Sequence, residues 1–172
     1  MTEFVTQIGE AFVGSGPEAA HLNTMLGAKG GPVETAWATA LATPRQGHAA
    51  FLTTLRPGIP AKPMTLFVNK ATMEDGDHST LTWGPAQAGV GSGVLWAVAD
   101  GIIDADLVDD LVLIAAVWVN PDAIDASLVY ENNRTATRDA LAAGLARTPT
   151  LTEALEYRDR PFNAYYLPPG VV

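Results

Sequence analysis

The sequence predicts an α+β fold, a two-layer sandwich, and three observations carry that prediction. Short apolar runs alternate with stretches of helical spacing in the order strand, strand, helix, strand, strand, helix, strand, helix. The strands outnumber the helices and fall in neighbouring pairs, which disfavours a doubly wound parallel sheet. The 16 glycines and 12 prolines punctuate these runs and bound each one. The 172 residues read as one domain, 1–172, long enough to bury a core, with an extended C-terminal arm from about residue 149.

Phe4 to Val13 and Leu22 to Leu26 are too short for capped helices and read as two strands. Gly14, Gly16 and Pro17 make the tight connection between them. His21 falls at the mouth of the second strand, where it is either aimed at a ligand or hydrogen-bonded to loop backbone. Gly30-Gly31-Pro32 then opens a helix with Glu34 in its first turn, and Pro44 stops it. Val33, Ala36, Trp37, Ala40 and Leu41 give that helix its period. Ala49 to Leu55 reads as a strand, Pro57 to Pro60 as a turn, and Met64 to Met73 as a further strand. Lys70 and Thr72 are two apart near its end and so share a face. Lys70 is there either as a solvated cap or as a ligand group.

The stretch from Met73 to Thr82, with Glu74, Asp75, Asp77 and His78, reads as a solvated loop, since no metal-ligand spacing is present. A helix is expected from Trp83-Gly84-Pro85 onwards, with Gln87 in its first turn, where a side chain and free backbone N–H groups can reach a ligand together. Gly89, Gly91 and Gly93 fit no nucleotide loop, because Val94 and Val90 stand where the third glycine and the lysine belong. A glycine inside a helix costs about 1 kcal/mol, so a sheet, a neighbouring subunit or a flat ligand must approach closely there. This surface is therefore expected at or near a subunit interface. Asp100 to Asp110 is an acidic turn with a short helix, and Leu111 to Val119 a buried strand. Asp125 caps a long helix from Ala126 to about Arg147, which Pro149 ends. Tyr157, Phe162, Tyr165 and Tyr166 lie among prolines in the arm, which is expected to be extended and to dock on something.

Composition narrows the function. Hydrophobic residues make up 48% and charged residues 17%, a balance that leaves apolar surface for other copies to cover and points to an oligomer. The net charge of −9 opposes nucleic-acid binding by phosphate neutralisation. With no cysteine, disulfides, thiolate catalysis and Cys-ligated metals are excluded. The start, Met1-Thr2-Glu3-Phe4, has no signal-peptide pattern, and the longest apolar run is about half a membrane span, so a soluble cytoplasmic protein without a membrane partner is expected. Ser15, Ser79, Ser92 and Ser127 lie in no nucleophile-elbow context, and no paired metal histidines occur. What remains is a glycine-framed histidine, a strand-end lysine and a glycine-rich helix. That set suits general acid–base help to a flat organic ligand.

Several ordered blocks between Gln7 and Ala146 carry a resemblance: QIGEAFVGSGPEAAHLNTMLG, GGPVETAWATAL, PGIPAKPMTLFVNKATM, WGPAQAGVGSGV and DGIIDADLVDDL. Together they resemble the formaldehyde-activating enzyme family, whose members condense formaldehyde with tetrahydromethanopterin to methylene-tetrahydromethanopterin and water. The resemblance implies a ribosomal-protein-S5-domain-2-like α+β fold, a homopentamer and a pterin site between subunits. It implies no metal and no cofactor beyond tetrahydromethanopterin as co-substrate. By position it makes His21 the general acid and Leu52, Lys70, Thr72 and Gln87 pterin contacts. The remaining contact position, usually aspartate, is Asn23 here, and the arm after Pro149 departs from the usual family ending. A non-catalytic formaldehyde- or pterin-binding sensor or carrier, or a member using another pterin, is the alternative that Asn23 and the arm favour. The hexulose-phosphate synthase domain fused to some members is not in this sequence.

Overall fold

Strand alternation decides which side chains meet in this fold. The computed structural model describes residues 4–73, 76–163 and 166–169. Two strands, β1 (Gln7–Val13) and β2 (Ala20–Ala28), pair antiparallel through a single 3-10 turn at Gly16–Glu18. Helix α1 (Pro32–Ala42) follows, with Pro32 at its first turn, as expected. The expected strand over Ala49 to Leu55 is broken in two, β3 (Phe51–Leu52) and β4 (Thr54–Arg56). Thr53 is the break: its N–H donates to Thr65 while its C=O accepts from Ala61, so the chain leaves the main sheet to form a small hairpin with β5 (Ile59–Pro60). Strand β6 is shorter than expected, Met64–Asn69 rather than reaching Met73. The Asn69 amide donates to the carbonyls of Gly47 and Ala71, both at 2.7 Å, and turns the chain there.

The Met73 to Thr82 stretch holds a short helix, α2 (Asp77–Leu81), where a loop was expected; Glu74 and Asp75 lie outside the described residues. The chain passes from α2 through a π-helical turn over Thr82–Ala86 into α3 (Gln87–Ala99). Strand β7 (Leu111–Trp118) and helix α4 (Ala126–Ala146) complete the layers. Asp125 caps α4 by accepting from the N–H groups of Ser127 and Leu128, as its position predicted. The arm is not wholly extended: it begins with α5 (Leu151–Glu156), closed by a capping box between Thr150 and Glu153.

The main sheet runs β1-β2-β7-β6-β3, with β7 and β6 parallel and the other neighbours antiparallel. This is a mixed α+β sandwich. One face is closed by α3 and α4, which bury Leu22, Leu26, Phe67, Leu113, Ala115 and Val117 against Val90, Val94, Ala136 and Ala140. On the other face α1 packs through Val33 on Gly27. Much of that face stays open, leaving Ile8 at 63% and Phe12 at 52% exposure.

The three glycines of α3 have close neighbours inside the chain itself. A Cβ on Gly89 or Gly93 would stand 2.4 Å from the carbonyl oxygen of Tyr130 or Arg134 of α4, and one on Gly91 would crowd Thr53 and Leu55. Gly9 is tighter still, since its Cβ would meet the Ala140 carbonyl oxygen at 1.7 Å. Gly9→Ala is therefore expected to destabilise by about 3 kcal/mol through overpacking. Gly84→Ala, facing open space, should change stability by less than about 1 kcal/mol. Urea denaturation of the two variants side by side checks both, and equal midpoints would contradict this packing.

Candidate active site

Register brings the candidate residues together on the open face. His21 and Asn23 project from alternate positions of β2, on the side opposite Leu22 and Thr24. In β1, Phe12 stands directly across from His21, and Glu10 across from Asn23. On the other side of β2, Trp118 of β7 is the partner of His21. Lys70 follows the last residue of β6, and its N–H donates to the Val117 carbonyl at 2.7 Å. That bond extends the β6–β7 ladder and sends the lysine side chain across β7 towards β2. Phe162 and Asn163 of the arm close one wall. The resulting cleft has a volume of about 820 Å³ and is lined by Glu10, Phe12, His21, Asn23, Lys70, Trp118, Phe162 and Asn163. That is the size of a small-molecule site, with apolar walls and a few convergent polar groups.

The imidazole of His21 is held from two sides. Its Nε2 lies 3.0 Å from Glu10 Oε1, and its Nδ1 lies 3.5 Å from Lys70 Nζ. The ring also rests at a 45° tilt against Phe12, with centroids 6.1 Å apart. The His21 and Glu10 side chains keep 41% and 57% of their exposure, so the pair contributes little to stability and acts mainly to orient the ring. Lys70 Nζ also donates to Asn23 Oδ1 at 2.8 Å. An amide oxygen accepts that bond without supplying a charge. Burial lowers the Lys70 pKa below its ordinary value, and the negative charge of Glu10 works against the shift. The arrangement thus presents a ring able to take or give a proton beside a primary amine, in a half-apolar cleft. Among the described residues, no three His, Asp or Glu side chains come together as a metal ion would need.

Comparison with known proteins adds to this geometry. The family model described as formaldehyde-activating enzyme matches residues 8–166. The chain belongs to the formaldehyde-activating enzyme family. A relative from Methanosarcina barkeri, named 5,6,7,8-tetrahydromethanopterin hydro-lyase, is 44% identical over 154 residues, covering 90% of this chain and 86% of the relative. Two proteins named bifunctional enzyme Fae/Hps are 40% and 41% identical, from Methanosphaera stadtmanae and Methanococcoides burtonii. Each alignment covers 91% of this chain but only 38% and 40% of those relatives, so the chain spans about two fifths of the bifunctional proteins.

Of the six positions that the family resemblance marks, the structure brings three into this cleft: His21, Asn23 and Lys70. Thr72 is not among the residues that line this cleft. The strand has ended before it, and its hydroxyl lies 3.1 Å from His48 Nε2, while His48 Nδ1 lies 3.1 Å from the Asn69 carbonyl. Leu52 sits on β3 at the far edge of the sheet, paired with Leu66. Gln87 does not have the free N–H of a helix start, because the π turn precedes it and its N–H reaches the carbonyls of Gly84 and Thr82. Its Oε1 instead accepts from the Thr54 N–H at 2.6 Å. The remaining histidine, His78, is buried with Nε2 3.0 Å from the Val119 carbonyl.

Sequence reasoning missed Glu10, Phe12 and Trp118. The first two share parity with His21 across the predicted hairpin, so counting back from the turn would have found them. Trp118 needed the β2–β7 register, which no local pattern contains. The arm was expected to dock, and Phe162 lines this cleft, whereas Tyr157 and Tyr166 are exposed and Tyr165 lies outside the described residues.

The charges around Lys70 make a signed prediction. Glu10→Gln removes the group that favours the ammonium, so the Lys70 pKa should fall further; Asn23→Asp adds a carboxylate at a contact position and should raise it. Titration of lysine side-chain NMR signals measures both, and identical curves for the three proteins would contradict the contacts described here.

Proposed function

We propose that this chain condenses formaldehyde with tetrahydromethanopterin, giving 5,10-methylenetetrahydromethanopterin and water, as a hydro-lyase. The observation that carries the reading is His21 held between Glu10 and Lys70 in an open cleft, in a chain of the formaldehyde-activating enzyme family. The chemistry needs what that cleft offers. An amine nitrogen adds to formaldehyde to give a carbinolamine, whose hydroxyl is a poor leaving group. Protonation by His21 lets it depart as water and leaves an iminium ion, which a second nitrogen of the pterin closes into the five-membered ring. An imidazole, with an ordinary pKa near 6.5, is suited to giving and regaining that proton at neutral pH. Glu10 faces the positive charge that the ring then carries and fixes its orientation. Holding both pterin nitrogens in closing geometry adds a proximity contribution.

Asn23 and Lys70 are proposed contacts in the same cleft, and Leu52, Thr72 and Gln87 contacts from elsewhere on the chain. That last group lies outside the cleft's lining, a division that suits a site completed by a second copy. We therefore read the protein as a cytoplasmic homo-oligomer, a pentamer by the family resemblance, acting in one-carbon metabolism, formaldehyde removal and methylotrophy. No cofactor beyond the co-substrate enters this chemistry. Among the described residues no helix is long and apolar enough to cross a membrane.

His21→Ala should lose turnover by roughly a hundred- to ten-thousand-fold, down towards the spontaneous condensation rate, while the melting temperature stays unchanged. A normally folded and fully active variant would refute the assignment. Light scattering should show an oligomer; a clean monomer at micromolar concentration would rule out a site shared between copies.

A further inference from the structure

We propose that Lys70 is a nucleophile towards small aldehydes, so that formaldehyde is first held in the cleft as a covalent methylene iminium on its Nζ. This rests on the formaldehyde reading above and specifies which amine meets the aldehyde first. The chain has three lysines, Lys29, Lys62 and Lys70. The first two are engaged by Asp109: Lys29 donates to its backbone carbonyl, and Lys62 pairs with its carboxylate at 2.5 Å. Lys70 lines the cleft described above, and among the described residues it has no carboxylate within 4.0 Å. Its two side-chain partners are the Asn23 amide and the His21 ring. Neither needs an ammonium. The nitrogen can donate one N–H to Asn23 Oδ1 as a neutral amine while its lone pair faces a proton on His21 Nδ1. The lowered pKa of Lys70, caused by its burial, favours the same state.

The step balances. The Nζ lone pair attacks the formaldehyde carbon, forming a C–N bond as the C=O π bond opens, and one proton passes from Nζ to the oxygen to give Lys70–NH–CH2OH. His21 then protonates that hydroxyl, the C–O bond breaks, water leaves, and the lone pair forms the C=N bond of the iminium. A pterin N–H nitrogen attacks this carbon and passes its proton to Nζ, so that the C–Nζ bond breaks, Lys70 leaves as the free amine and the methylene stays on the pterin as an iminium. The second pterin nitrogen closes the ring, and its proton returns to His21. No oxidant or reductant is required. Phe12 and Trp118 line the cleft beside the cation, and Glu10 supplies a negative charge on the far side of His21.

The test treats the unmodified protein with formaldehyde and cyanoborohydride at neutral pH, without pterin, so that each iminium is reduced to an N-methyl group and located by peptide mass spectrometry. Lys70 should be methylated about tenfold or more faster than Lys29 and Lys62. His21→Ala should slow methylation at Lys70 and leave the other two unchanged. If Lys70 reacts no faster than the other lysines, the inference is overturned. It is also overturned if Lys70→Arg, which keeps the charge but not the nucleophile, still condenses formaldehyde with tetrahydromethanopterin at the full rate. Condensation by the unmodified protein, measured on the same preparation, stands or falls independently, so failure of the broader reading is distinguishable from failure of this one.

Discussion

Strand β7 is the constraint on which the site depends. Its one edge pairs with β2 and its other with β6, so His21 and Lys70 stand on opposite sides of it. Strands two places apart in a sheet are separated by roughly 10 Å, too far for most side chains to touch. Lysine can make the crossing, because its four-carbon stem lies along the apolar surface of the strand between while the amine reaches beyond it. The crossing starts from a fixed point, the Lys70 N–H bonded to the Val117 carbonyl. Moving that anchor by one residue would turn the side chain into the buried face. The 3.5 Å approach of amine and imidazole is thus a consequence of sheet register, carried one residue past the end of β6 by the Lys70 N–H bond to Val117.

The two faces of the sheet divide the work. Against one, α4 lies so close that glycine is needed at Gly9, Gly89 and Gly93, with backbone nearly touching backbone. Packing of that kind leaves little room for either layer to shift, and the interior it seals includes Leu22, Leu113 and Val117 of the strands that carry the site. The same strands therefore hold a dense core on one side and a half-exposed cluster of Glu10, His21, Asn23 and Lys70 on the other. An ion pair between exposed groups is weak by itself. Here its geometry is imposed by the core behind it.

How much of this was legible in the sequence follows from how local each feature is. The β1–β2 hairpin, α1, β7 and α4 all carry their signals within a few residues: Gly14 and Gly16 in the turn, Pro32 at a helix start, an unbroken apolar run, Asp125 as a cap. His21 and Lys70 could be marked as chemistry-bearing, and the family resemblance supplied roles for them. The capping box of Thr150 and Glu153 was also local, and the helix that replaces an extended arm could have been read from it. By contrast, the break at Thr53 depends on its bonds to Thr65 and Ala61. The continuation from α2 through the π turn, which removes the free N–H from Gln87, is set by packing that no periodicity displays. The glycines of α3 were recognised as marking a close approach, but α4, the partner of Gly89 and Gly93, comes some forty positions later, Thr53 and Leu55 meet Gly91 from earlier in the chain, and only the fold identifies them.

Asn23 shows how a single residue changes meaning once its neighbours are known. In the sequence it is a missing carboxylate next to a histidine, a loss that bears on the acid. In the structure it bonds the lysine, while Glu10 from the adjacent strand faces the histidine. The cluster therefore retains one carboxylate, displaced from the lysine to the far side of the ring. A carboxylate at position 23 would hold Lys70 as an ammonium; an amide leaves the amine free to lose its proton while still fixing its direction. Glu10, placed beyond the ring, can balance a protonated imidazole without pairing directly with the amine. The amine and the imidazole are thus held side by side, with the carboxylate kept to the far side of the ring. That arrangement is what carbinolamine dehydration, which needs an acid and an amine together, requires of a protein.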